Sequence, residues 1–160
     1  MHPLIEQLNL QPHPEGGYFA EVYRATETVT SPFNQHDRPT LTHIYFLLLK
    51  GQRSRFHLVA HDEVWNHYCG APLRLLHIKN ETELNASLTC SSQEIILGTS
   101  PHFAHVINAN QWQAAESTGD YTLVGCSVAP GFDFQDFRFM REPQETEWVT
   151  QHKPEWQAFI

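Results

Sequence analysis

Cysteine is scarce in this chain. Cys69, Cys90 and Cys126 are the three in 160 residues. An odd number with no C-x-x-C pair argues against a disulfide framework and fits reduced thiols in a cytosolic protein. Long apolar runs are missing too. The longest, Ile44 to Leu49, is far short of the ~20 residues that span a bilayer. The opening MHPLIEQLNL lacks the basic segment and apolar stretch of a secretion signal. A cytoplasmic protein is therefore expected, and the glycosylation-type triplets at Asn80 and Asn85 carry little meaning. Positive charge is also short: 10 Lys and Arg stand against 18 Asp and Glu, a net charge of −8. That balance argues against nucleic acid and membrane surfaces as partners and otherwise serves solubility. No P-loop, G-x-G-x-x-G, H-E-x-x-H or G-x-S-x-G occurs. Helical periodicity is confined to the ends, at Pro3 to Leu10 and Pro143 to Val149.

What the chain does have is a succession of short strand-like runs separated by turn residues. Tyr18 to Arg24 follows Gly16-Gly17. Ser31 to Pro39 is polar, carries two prolines and reads as a loop. Leu41 to Lys50 and Leu73 to Lys79 are rich in aliphatic residues. Asn80 to Asn85 is a polar connection, followed by short candidates at Ser87 to Cys90, Glu94 to Gly98 and Ala104 to Ile107. Gln111 to Glu116 and Tyr121 to Val128 complete the series. This pattern predicts an all-β barrel or sandwich, and 160 residues suit a single domain.

The richest stretch is Gly51 to Gly70, GQRSRFHLVAHDEVWNHYCG. His57, His61, Glu63, Trp65 and His67 all fall at odd positions. Residues two apart share a face of a strand. With Asp62-Glu63 as the turn between two strands, and parity kept across it, one face collects imidazoles, a carboxylate and an indole.

The spacing of Gly51, His57, Glu63 and Gly70 resembles the first motif of the cupin superfamily, with Val59 where its second His stands. HPEGGYFAEVYR, THIYFLL, SRFHLVAHDEVWNHYCG and YTLVGCSVAPGFDFQDF together resemble one subfamily, Cupin_5 (DUF985), over nearly the whole chain outside its last twenty residues. The resemblance implies a single RmlC-like jelly-roll β-barrel with short terminal helices. Its core would run from about 17 to 140, with an N-terminal arm over 1–16 and a C-terminal tail over 141–160. It also implies a homodimer and a small-molecule ligand, sugar-like if the subfamily's common label of predicted sugar epimerase is followed. That label rests on analogy of fold.

Typical cupins hold a divalent metal with two His and a Glu from the first motif and a His from the second. Here the second motif falls near Val106 to Gln113 and matches poorly. His57, Glu63 and Gln113 would be the ligands of any metal, but Val is no ligand and Gln a poor one for a transition metal. No cofactor is therefore expected. His57 is the candidate base, with Glu63 orienting it. Metal-free sugar epimerases of the superfamily use a tyrosine as acid, and Tyr18, Tyr45 and Tyr68 are the candidates. Trp65 is expected to stack on ligand, with Tyr18, Glu21, Arg24, Ser54, His67 and Gln113 as further binding residues. Three functions stay open: a metal-independent epimerase or isomerase, a non-catalytic binding module, and a metal-dependent cupin enzyme.

Overall fold

Proline and glycine punctuate the chain, and between them β-branched, aliphatic and aromatic residues alternate with polar ones. The computed structural model describes residues 2–82 and 88–160. The chain opens with helix α1 (Pro3–Gln7), started by Pro3 and capped by the His2 ring, which accepts from the Leu4 amide. Thirteen strands follow among the described residues. They are β1 (Gln11–Pro12), β2 (Tyr18–Arg24), β3 (Thr28–Thr30), β4 (Asp37–Pro39), β5 (Thr42–Leu49), β6 (Arg53–Val59) and β7 (Asp62–Gly70). After them come β8 (Leu73–Thr82), β9 (Leu88–Leu97), β10 (Ala104–Ile107), β11 (Trp112–Ser117), β12 (Tyr121–Ala129) and β13 (Phe137–Phe139). Helix α2 (Pro143–His152) and a 3-10 segment (Pro154–Phe159) end the chain.

Two antiparallel sheets carry the fold. One is ordered β1-β2-β5-β12-β7-β10 and the other β13-β6-β11-β8-β9. Strand alternation gives each sheet an inner and an outer face. The inner faces meet over Phe46, Leu48, Trp65 and Val124 from the first sheet and Leu73, Leu75 and Ala115 from the second. The outer face of the first sheet is covered in part by α1 and the turn after it, through Ile5 and Leu10 on Leu47 and Leu123. The outer face of the second receives α2 and the 3-10 segment, which bury Val149, Trp156 and Phe159 against Phe56, Leu76 and Ile78. The sheets keep free edges rather than closing into a continuous barrel, and the arrangement is the jelly-roll class expected.

Four local features differ from the sequence reading. The turn of the β6–β7 hairpin is Ala60-His61, because Asp62 and Glu63 already belong to β7, where Glu63 pairs with Val128. The segment read as a loop over 31–39 ends in β4, which pairs with β3 in a small separate ribbon. The two short candidates after Asn85 are one strand, β9, matched along β8. Residues 83–87, including Asn85 and Ser87, lie outside the described residues. The C-terminal residues read as a tail form part of the packing, since Trp156 and Phe159 are wholly buried.

Candidate functional site

A cavity of about 230 Å³ opens between the inner faces at the end where β2, β5, β6 and the 132–137 segment meet. Its walls are aromatic and aliphatic, with Phe19, Phe46, Phe132 and Phe137 prominent. Among its buried ionisable side chains are Glu15, His57 and Glu63.

Glu15 is delivered by a tight turn. Gly16 has φ of +115°, and any side chain there would collide with the Arg53 carbonyl. The Gly16 amide donates to the His13 carbonyl, and the His13 amide donates to the Gly17 carbonyl. The Arg55 amide donates to the Glu15 carbonyl and ties the turn to β6. Glu15 then points inward, and its Oε1 accepts from Ser54 Oγ at 2.8 Å.

His57 comes from β6 and Glu63 from β7, and both are buried. His57 Nδ1 lies 2.7 Å from the Arg55 carbonyl oxygen. A carbonyl only accepts, so Nδ1 carries the proton and Nε2 presents a lone pair. That lone pair faces Glu15 Oε2 at 3.1 Å and the Gln113 amide nitrogen at 3.1 Å. Gln113 is itself fixed. Trp65 Nε1 can only donate, and it does so to Gln113 Oε1 at 2.8 Å, so the NH₂ group must face the other way. One of its N–H groups goes to His57 and the other to Glu63 Oε2. The His57 ring stacks on Phe137 with centroids 5.1 Å apart.

Burial dominates the ionisation of this cluster. Desolvation raises Glu15 to about 8 against the lowering effect of the Ser54 hydrogen bond. It raises Glu63 to about 7, opposed by the neighbouring His57 and the Gln113 hydrogen bond. Desolvation lowers His57, and it lowers His13 to about 3 with help from His57. Cys126 beside Glu63 is pushed well above an ordinary thiol by burial, so it stays a neutral donor. Near neutrality the His57–Glu15 contact is therefore a neutral carboxylic acid against a neutral imidazole, and Glu63 is the carboxyl that ionises more readily.

The structure places the other residues singled out in the sequence as follows. Glu21 and Arg24 both reach the cavity mouth, although a regular strand would put them on opposite faces. A bulge between Glu21 and Tyr23 resets the parity. They form a two-point ion pair at 2.7 and 3.0 Å, and Arg24 also donates to the Phe132 carbonyl. Ser54 acts through Glu15, and Trp65 and Gln113 form the buried support just described. Tyr18 does not reach the cavity: it packs with α1 on the outer face of the first sheet, as does Tyr45. Tyr68 is also outside, 2.9 Å from His43 Nε2. His67 lies beyond Trp65, where its Nε2 meets the Ala71 carbonyl at 3.1 Å and its ring fills the space a side chain at Gly98 would need. His61, being in the turn, joins Ser31 and Asp136 instead.

Glu15, the carboxyl in contact with His57 Nε2, was not among the candidate site residues. The signal available was a Glu directly before Gly-Gly, in a segment already notable for the family resemblance.

The donor set does not fit the cupin metal. Val59 lines the cavity where the second His would stand. Gln113 offers an NH₂ group that cannot ligate a cation. Among the described residues, no group of three or more His, Cys, Asp or Glu is disposed around a cation position.

Comparisons with known proteins agree on the architecture. None of the curated proteins matches the chain. A hypothetical protein from Leishmania major superposes with a TM-score of 0.81 at 26% identity, covering 98% of this chain and 94% of its own. A protein from Shewanella oneidensis does so with a TM-score of 0.71 at 29% identity, covering 97% and 90%. A cupin 2 conserved barrel domain protein from Rhodopseudomonas palustris shares the fold at 13% identity, with a TM-score of 0.53 over 94% and 97% of the two chains. Residues 2–140 match the profile of Cupin_5, the DUF985 group of the cupin superfamily, and the chain belongs to that family.

Proposed function

We propose that this cupin binds a small molecule in the cavity and moves a proton on it, as an isomerase or epimerase does. One observation carries the reading. Two buried carboxyl groups with raised pKa, one against a neutral imidazole, line a cavity whose walls are largely aromatic and aliphatic. Paired ionisable groups near neutrality are what acid–base catalysis needs. Glu63 is the base that takes a proton from carbon next to a carbonyl or imine. Glu15, which donates to His57 Nε2 and accepts from Ser54, is the acid that protonates the heteroatom receiving the electrons. Glu63 then returns a proton to carbon while the heteroatom gives its proton back to Glu15, and before and after each turnover His57 Nε2 accepts the hydrogen bond of the Glu15 hydroxyl. This divides the acid and base roles between carboxyls, and it requires no tyrosine in the cavity.

The test is hydrogen exchange. Candidate carbonyl compounds incubated with the protein in D₂O should gain deuterium at the activated carbon, and Glu63→Gln should abolish the gain. Deuterium uptake equal in the variant and the unaltered protein would sink the catalytic reading.

One fact favours a second reading, a binding module without catalysis: no tyrosine lines the cavity among the described residues, so the acid used by metal-free sugar epimerases of the superfamily has no counterpart here. Specific binding without exchange would support it. We also propose a homodimer. Tyr68 and Val106 stand exposed on the outer face of the six-stranded sheet, a surface that a second copy would cover. Light scattering on the purified protein decides between one and two chains.

A further inference from the structure

We propose that the ligand is a small planar aromatic or heteroaromatic compound bearing a cationic or N–H-rich group, rather than a sugar or a phosphorylated compound. The inference rests on the reading of the cavity as a small-molecule site and names what that site takes.

Wall chemistry comes first. A sugar presents hydroxyl groups in every direction and needs polar partners around its rim. Here much of the wall is rings: Phe19, Phe46, Phe132, Phe134 and Phe137. Such rings offer faces and edges to a flat ligand and leave equatorial hydroxyls unpaired.

Charge comes second. Four acidic side chains border the cavity: Glu15, Glu21, Glu63 and Asp133. Among the described residues Arg24 is the only Lys or Arg that lines it, and it is already committed to both oxygens of Glu21 and to the Phe132 carbonyl. Among the described residues a phosphate would meet several carboxyls and no uncommitted Lys or Arg. A cationic or N–H donor group, by contrast, finds the carboxyl oxygens of Glu15 and Glu63.

Size comes third. At about 230 Å³ the cavity lies below the roughly 300–1,000 Å³ of sites for drug-sized ligands, which fits one or two fused rings and not a nucleotide-sugar.

Benzamidine, benzamide and benzoate test the idea on the unaltered protein. They share one shape and differ in charge at one end. Binding is followed by calorimetry and by thermal shift, with glucose 1-phosphate and xylose in parallel. At pH 8, where Glu63 is ionised, benzamidine should bind at least about tenfold more tightly than benzoate, because a second carboxylate brought against Glu63 in a desolvated site is repelled strongly. Glu63→Gln should remove most of that preference. Benzoate or glucose 1-phosphate binding as well as benzamidine would overturn the ligand class. So would the absence of any binding by benzamidine. If a sugar binds instead and Phe137→Ala weakens it, the ligand class fails while the cavity reading stands. Benzamidine bound equally by the unaltered protein and by Glu63→Gln and Phe137→Ala is bound elsewhere, and that result overturns the proposal.

Discussion

Trp65 decides which way Gln113 faces. The indole N–H reaches the amide oxygen at 2.8 Å, and the amide nitrogen is left to bridge His57 and Glu63. A buried Trp in a cupin interior thus acts through hydrogen bonding as well as packing. It holds two ionisable groups from different sheets on one amide. Gln113→Leu keeps the approximate volume and removes every one of these bonds. It should destabilise the protein by roughly 1–3 kcal/mol, the cost of leaving buried polar groups without partners. Urea unfolding measures it. A change within a few tenths of a kcal/mol would mean that water fills the gap and that the bridge is not needed for stability.

Stability should fall as pH rises from about 6.5 to 8. Glu15 and Glu63 have folded pKa values raised from 4.5 to about 8 and about 7. The native state therefore holds protons that the unfolded chain has already lost, and the slope of stability with pH is negative there. The buried histidines act oppositely. His13 and His57 are lowered from 6.5, so in acid the unfolded chain binds protons that the native state refuses. That contribution is complete above about 6.5 and leaves the carboxyls alone to set the slope. Denaturant midpoints across pH 6.5–8 check the sign, and Glu15→Gln should flatten the decline. A flat or rising profile in the unaltered protein would show that both carboxyls ionise freely in the fold.

Much of this architecture was readable because strand alternation is strict where the sheets are regular. His57 and Val59 share the inward face of β6, and Glu63 and Trp65 that of β7, because these stretches lie clear of the irregularities the two strands carry between Ser54 and His57 and after His67. Reading failed where the ladder is irregular. The bulge after Glu21 brings Arg24 to the mouth, and a single looped-out residue leaves no mark that separates it from a regular strand. The Ala60-His61 turn removes His61 from the cavity, since Asp62-Glu63 looked equally turn-like. Glu15 reaches His57 across 42 positions of sequence through a turn that depends on the close approach of Gly16 to β6. Such a contact is a tertiary event, and no local pattern encodes it. The β3–β4 ribbon escaped because β3 is exposed throughout and β4 buries the charged Arg38 rather than an apolar residue, so no apolar alternation marks either strand.

Ser31, His61 and Asp136 make up the trio that many hydrolases use, but their geometry assigns them a structural role. Ser31 Oγ is 2.7 Å from His61 Nε2, yet Ser31 is wholly buried. His61 Nδ1 is 3.8 Å from Asp136 and makes no hydrogen bond. The Asp136 oxygens are taken by Arg38 at 2.6 and 2.9 Å and by Asn34 at 2.7 Å. The cluster clamps the 28–39 ribbon to the segment that carries Phe134 and Phe137 into the cavity wall. Arg38→Ala would strand a buried carboxylate, and breaking such a pair costs about 3–5 kcal/mol. The loss should depend on pH. Without the guanidinium, which lowers the His61 pKa, and with Asp136 still raising it, His61 gains a partner only as a cation. Its folded pKa then rises, and the stability it returns is present in acid and lost as pH climbs through that value. Arg38→Ala should therefore be hurt less at pH 5.5 than at pH 8, by urea unfolding at both. An equal loss at the two pH values would show that His61 stays neutral and that Asp136 finds its relief in water instead.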